Sequence, residues 1–210
     1  MSKKTILADN SLSRRTSRLE IRPLVLRDYR AWLHAHRTMS PPKSPFDSGP
    51  ISEEKLTHKR FREQIKKCRG LREADRFYSF GVFLKESGEL VGYTSLIVVF
   101  RVDLQTAFIG WGTYNQYWRR GYARESVQAT IAIAFEELDL HRIEAGIEPR
   151  NRASVALAKA VGMRREGIQK RYIYTDQKWV DLVAYALVAE DLGIEYGAPR
   201  IRADFCLENL

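Results

Sequence analysis

Cysteine is almost missing from this chain of 210 residues: Cys68 and Cys206 are the only two. Their wide separation excludes a disulfide framework and a cysteine-ligated metal site, and it favours a reducing compartment. Long apolar runs are also lacking. No stretch approaches the ~20 residues of a membrane span, and the opening MSKKTILADNSLSRRTSRLE has no apolar core of signal-peptide length. The expected location is therefore the cytoplasm, with no membrane partner. No GxxxxGK[ST] phosphate loop occurs, and GWGTYN (110–115) begins like a dinucleotide fingerprint but carries Asn115 where the third glycine is required. These absences argue against nucleotide hydrolysis and a Rossmann site. Internal repeats and low-complexity segments are absent as well, which excludes solenoids and arrays.

What is present is the composition of a globular protein, 44% hydrophobic and 11% aromatic, well outside the range of intrinsic disorder. Lysine and arginine number 35 against 26 acidic residues, a net charge of +9. Such a balance suits a phosphate-bearing ligand or nucleic acid, and it equally describes an ordinary basic surface. The charges are scattered and no nucleic-acid motif accompanies them, so direct nucleic-acid binding is not expected.

Residues 1–17 are polar, mixed in charge and aperiodic, and read as a flexible arm. LEIRPLVL reads as a strand ending near Pro23, with Asp28 placed to cap a helix through DYRAWLHAHRTM. SPPKSPFDSGP, holding four of the seven prolines, must be a loop. A charged helix is expected over 52–69, starting at Ser52. FYSFGVFLK, LVGYTSLIVVF and QTAFIGWGTY predict three neighbouring antiparallel strands. Ala123, Val127, Ile131, Ala134, Phe135 and Leu138 then share one face of a helix. RIEAGIEP alternates as a strand, Asn151 can cap a short helix closed by Gly162, and a hairpin around TDQ ends the pattern. The expectation is an α+β (mixed α/β) domain over 18–192, followed by an extension over 193–210. Its central sheet should be mixed, mostly antiparallel, with about seven strands flanked by about four helices.

The segment WRRGYARES, residues 118–126, sets arginines around a glycine where the long apolar helix begins. A helix N-terminus offers unpaired N–H groups and a favourable dipole to an anion. Gly121 lets backbone donors crowd around a diphosphate, Ala123 permits close approach, and Arg119, Arg120 and Arg124 add charge. The same residues would also make a plain helix entrance with solvated arginines.

The combination of AFIGWGTYNQYWRRGYARES, RIEAGIEPRNRASVALAKAVGMRREG and WVDLVAYALVAEDL resembles the GNAT N-acetyltransferases, in particular the Rim-type ribosomal-protein N-terminal acetyltransferases. The likeness is continuous over 107–191, and LEIRPLVLRDYRAWLHA resembles that subfamily's opening. The resemblance implies the GNAT fold and acetyl-CoA as co-substrate, without a metal. It assigns the pyrophosphate to Trp118, Arg119, Arg120, Gly121, Tyr122 and Ala123. Backbone groups at Ile109, Gly110 and Trp111 are assigned to the pantetheine arm, and a β-bulge beside Gly110 would suit that role. Asn151 and Ser154 match positions that approach the pantetheine and the sulfur, although Asn151 also suits an N-cap and Ser154 a packed first turn. Many relatives carry a tyrosine acid seven residues after the asparagine. Ala158 stands there, leaving Ser154 as the substitute proton donor, directly or through water.

The implied reaction is direct attack of a neutral amine on the thioester in a ternary complex, with no covalent intermediate. At pH 7 deprotonation costs about 1 kcal/mol for an α-amine but about 4–5 for lysine, so a chain without an evident strong base favours a protein N-terminus, a ribosomal protein among the candidates. A small amine (polyamine, amino acid, antibiotic) or aminoacyl-tRNA is the alternative acceptor. A non-catalytic acyl-CoA sensor and a nucleic-acid-binding protein are the alternatives of other classes. Glu86, Glu89, Asp103 and a water chain remain open as the base. The four histidines read as structural or surface residues. Tyr172, Tyr174 and Trp179 on the final hairpin read as core or groove-lining, and Asp181 as structural. A homodimer is compatible with the sequence.

Overall fold

A computed structural model describes residues 12–197. Eight strands form one mixed sheet: β1 (Arg14–Arg15), β2 (Leu19–Arg22), β3 (Phe77–Leu84), β4 (Leu90–Phe100), β5 (Thr106–Thr113), β6 (Arg142–Ile147), β7 (Arg164–Thr175) and β8 (Lys178–Val188). Pairing runs in the order β1-β2-β3-β4-β5-β6-β8-β7. The helices are α1 (Tyr29–Arg37), α2 (His58–Glu73), α3 (Tyr122–Ala132) and α4 (Arg152–Ala160). The chain divides into two compact units, one of residues up to Leu96 with Gly110–Ile133, the other of Ile97–Ile109 with residues from Ala134 onward.

In the first unit, β2 pairs antiparallel with β3, Ile21 opposite Val82, and α2 packs on β3 while α3 packs on β2. The alternating burial of LEIR and the fully buried Trp32, Phe61 and Phe80 show where the core sits. Val127 and Ile131 of the apolar stripe are buried as their spacing requires. Inside this core Thr94 and Thr130 share a 2.7 Å hydrogen bond, and the Thr130 hydroxyl donates onward to the Ser126 carbonyl. A Cβ at Gly92 would lie 2.3 Å from the Gly112 carbonyl oxygen, so only glycine allows β4 to pass β5 this closely.

Local chemistry moves several expected boundaries. Leu12 is 2% exposed and Arg14–Arg15 pair with Glu20 and Ile21, so the sheet claims residues assigned to the arm; residues 1–11 lie outside the described residues. Asp28 precedes α1 but makes no side-chain cap. Its carboxylate instead accepts from Arg22 at 2.7 and 2.9 Å and from the Val25 N–H at 2.8 Å. Ser52 opens only a 3₁₀ turn, and α2 starts after Thr57, whose hydroxyl accepts from the Arg60 N–H at 3.2 Å. Both residues suit an N-cap, and only the Thr57 side chain closes the bond.

In the second unit, β5 pairs parallel with β6 over Thr106–Phe108 against Arg142–Glu144, and β8 pairs antiparallel with β6 and β7. Parallel neighbours need a crossover, which α3 and the π-helical turn Ile133–Glu137 supply. Ala134, Phe135 and Leu138 continue the buried stripe. The β7–β8 hairpin turns at Asp176 and Gln177, both at positive φ, as expected around TDQ. Of the expected extension, the described part is tied down by the Tyr196 hydroxyl, which donates to the Asp139 carbonyl at 2.8 Å. Cys206 and the rest of the extension lie outside the described residues.

Candidate active site

The segment leaving β5 is fixed residue by residue. Asn115, 2% exposed, donates to the carbonyls of Ser40 and Pro41 and to Asp47, and accepts from the Ser40 N–H at 2.9 Å. The residue that spoils a dinucleotide fingerprint is thus the anchor of the proline-rich loop. The Tyr117 hydroxyl meets Glu89 at 3.3 Å, and the Trp118 indole donates to the Thr113 carbonyl at 2.6 Å. Burial raises the Tyr117 pKa, and the Glu89 charge adds to it.

Beyond Trp118 the backbone turns left-handed twice, at Arg119 (φ 62°) and Gly121 (φ 80°). Gly121 occupies the N-cap position of α3 and provides no side chain to bond the first helical N–H groups. Those donors at the dipole's positive end have no intrahelical acceptor. Arg119, Arg120 and Arg124 are exposed, and the Arg120 guanidinium lies 5.8 Å from the Tyr117 ring centre. A Cβ at Gly121 would meet only the tip of Arg18, at 3.2 Å. Such consecutive donors, bent by αL residues, form a cradle matched to a diphosphate.

Arg18 is the residue that sequence reasoning missed. Its Nε and terminal nitrogen reach Glu125 at 2.8 and 2.6 Å, and its other terminal nitrogen donates to the Arg120 carbonyl at 2.9 Å. One hint was available: Glu125 puts a carboxylate in the first turn of a helix read as an anion site, which calls for a compensating cation.

Ile109, Gly110 and Trp111 lie in β5 just beyond the residues that pair with β6. Ile109 is 6% exposed, and the absent side chain of Gly110 leaves room for Ser95 Oγ, which a Cβ would meet at 2.9 Å. These residues and 118–123 belong to one continuous stretch. Asn151 and Ser154 belong to the second unit with Ile109, and are brought together by the Ser154 N–H donating to Asn151 Oδ1 at 3.1 Å. Asn151 is therefore the N-cap of α4, with its amide nitrogen left over for donation. Ala158, the position at which the resemblance implies a tyrosine, is fully buried and has no proton to give.

Of the two readings of the final hairpin's aromatics, core and groove-lining, exposure removes the first. Tyr172, Tyr174 and Trp179 are 48%, 59% and 59% exposed, the last two packed edge to face at 5.5 Å. Asp181 is structural: it accepts from Lys170 at 2.8 Å and from the Arg171 N–H at 2.9 Å, holding a bulge between Gln169 and Ile173. Of the histidines, His36 is buried, His58 stacks on Tyr29 at 3.4 Å, and His141 bonds Glu190 at 3.0 Å. His34 is exposed and lies 3.9 Å from Glu89. Among the described residues no group of three or more His, Cys, Asp or Glu could hold a metal, and no helix is long and apolar enough to cross a membrane.

The model of the acetyltransferase (GNAT) domain matches residues 18–164. The chain belongs to the GNAT acetyltransferases. An uncharacterized N-acetyltransferase of Bacillus subtilis, YnaD, is 32% identical over 84% of this GNAT chain and 96% of its own length. The [ribosomal protein uS5]-alanine N-acetyltransferase of Escherichia coli is 28% identical over 57% of the chain and 61% of its own. Among solved structures, Mycobacterium smegmatis RimJ in complex with CoA-disulfide superposes with a TM-score of 0.70 and 26% identity, covering 85% of each chain. The GNAT family uses acetyl-CoA as acyl donor.

Proposed function

We propose that this GNAT domain, carried by residues 18–192, acetylates the N-terminal α-amine of a protein, with a ribosomal protein as the leading class of acceptor. The observation that carries the reading is the side-chain-free entrance to α3, where Arg119 and Gly121 both take positive φ and only the Arg18 tip lies beside Gly121. The likeness to the uS5-alanine acetyltransferase and to RimJ supports the choice of acceptor.

Residues Trp118–Ala123 take the pyrophosphate, Ile109, Gly110 and Trp111 the pantetheine arm through their main chain, and Asn151 and Ser154 the thioester end. Acetyl-CoA, when bound, supplies an activated acyl group and a thiol leaving group. The chain's own part is to hold that donor, polarise the thioester carbonyl with a main-chain N–H near Trp111, and donate a hydrogen bond from the Ser154 hydroxyl to the departing thiolate, which takes up the proton released by the attacking amine. Cys68 is no nucleophile, because burial raises its thiol pKa, the reverse of an activated thiolate. An α-amine suits a site without a strong base, since its deprotonation at pH 7 costs only about 1 kcal/mol.

Thermal unfolding with acetyl-CoA tests the donor: ligand at 100 times Kd should stabilise by about 2.7 kcal/mol. A panel of N-terminal peptides, Nα-blocked lysine peptides, polyamines and aminoacyl-tRNA, assayed with labelled acetyl-CoA, tests the acceptor. Faster turnover of a polyamine or of a blocked lysine peptide would overturn the N-terminal assignment.

A further inference from the structure

We infer that Arg18 is a positioning residue for coenzyme binding, acting by neutralising Glu125 and bracing the loop ahead of α3. The inference rests on the assignment of the diphosphate to that loop. Glu125 lies in the first turn of α3. A carboxylate there complements the dipole of an empty helix, but it repels any dianion seated on the same N–H groups. The conflict is resolved from the far end of the sequence. The carboxylate accepts from the Thr16 hydroxyl, from the Ser17 hydroxyl at 3.2 Å, from the Arg18 N–H at 3.0 Å and from the Arg18 guanidinium at 2.8 Å.

The same guanidinium donates at 2.9 Å to the Arg120 carbonyl, between the two left-handed residues, and lies 4.9 Å from the Tyr122 ring centre. Arg18 thus joins the charged group that must be silenced to the peptide that must be held. A planar fork of donors can do both at once, which a lysine cannot. Burial raises the Glu125 pKa, but its bonds to Thr16 and Arg18 outweigh that and bring it below its ordinary value, so the carboxylate stays ionised and needs its partner throughout the physiological range.

The test is calorimetric titration of the full chain with coenzyme A. Arg18→Gln should weaken Kd roughly ten-fold, the size of one lost charge-assisted contact. Glu125→Gln should bind as tightly as the unaltered chain or tighter, although it breaks the same ion pair. Arg18→Gln/Glu125→Gln should recover most of the loss. A purely structural clamp would weaken binding in both single variants and by about the same amount in the double. That pattern, or an unchanged Kd in Arg18→Gln, overturns the inference. Should Arg18→Gln not fold, Arg18→Lys keeps the charge but releases the Arg120 carbonyl, and it should fall between the two; wild-type affinity in that variant likewise overturns the bracing role. Absence of coenzyme A binding by the unaltered chain would instead remove the diphosphate assignment itself.

Discussion

The Trp118 indole donates its only proton to the Thr113 carbonyl, 2.6 Å away, fastening the start of the loop to the end of the strand that precedes it. Trp118→Phe keeps an aromatic ring, though a smaller one, and deletes the bond. Because the bond is already present without ligand, its loss should cost about 1 kcal/mol of stability, read as a lower unfolding midpoint, and should weaken coenzyme A binding as the loop loosens. Calorimetric titration beside a melting curve checks both halves, and equal affinity in the two proteins would remove Trp118 from the loop's support.

Gly121 sits at φ 80°, where an L side chain costs about 1–2 kcal/mol and a β-branched one more. Gly121→Val should abolish the thermal shift produced by acetyl-CoA while the variant remains folded. Gly121→Ala, whose Cβ has only the Arg18 tip to displace, should retain part of it. A full shift in a folded valine variant would refute the loop assignment.

Ser154 separates binding from chemistry. Its main-chain N–H belongs to the Asn151 cap, and that bond survives substitution of the side chain. Ser154→Ala should therefore leave coenzyme affinity intact and lower kcat about ten-fold, a smaller loss than that of a preorganised oxyanion donor. An unchanged kcat assigns the hydroxyl to packing alone.

His36 packs edge to face on Trp32 and Tyr114, at 5.0 and 5.1 Å, and its Nδ1 has no hydrogen-bond partner among the described residues. Burial lowers its pKa to about 4, with a further push from the Arg60 charge. The unfolded chain, at the ordinary value of about 6.5, then binds a proton that the native state refuses. The stability tied to neutral His36 is fully present above pH 6.5 and is lost as the pH falls toward 4. Urea midpoints measured from pH 7 to 5 should decline more steeply for the unaltered chain than for His36→Phe, and parallel curves would contradict the assignment.

The legible parts of the sequence were those in which one local pattern decides the outcome. The stripe beginning at Val127 announced α3 because a 3.6-residue period puts Val127 and Ile131 on one face, although from Ile133 it continues on a π-helical turn, and Asp176 and Gln177 announced the hairpin through turn chemistry. The loop at 118–123 was visible as a motif, and so was Asn151 as a cap. Arg18 was not, because its partner lies 107 residues away and nothing local marks a charge neutralised at that distance. For Tyr172, Tyr174 and Trp179 the choice between core and groove was open for a related reason: alternation shows that a strand has two faces, but not whether anything covers either of them at the margin of a sheet.

That margin bears on how the protein behaves when concentrated. β7 is the last strand in the order and β1, two residues long, is the first. An uninterrupted outer strand of twelve residues would be a template on which another chain could zip up and begin to fibrillise. Asp181, by drawing Lys170 and the Arg171 amide out of line, breaks that template midway. The Asp181 contact thereby leaves the outermost strand a poorer template for pairing with a second chain.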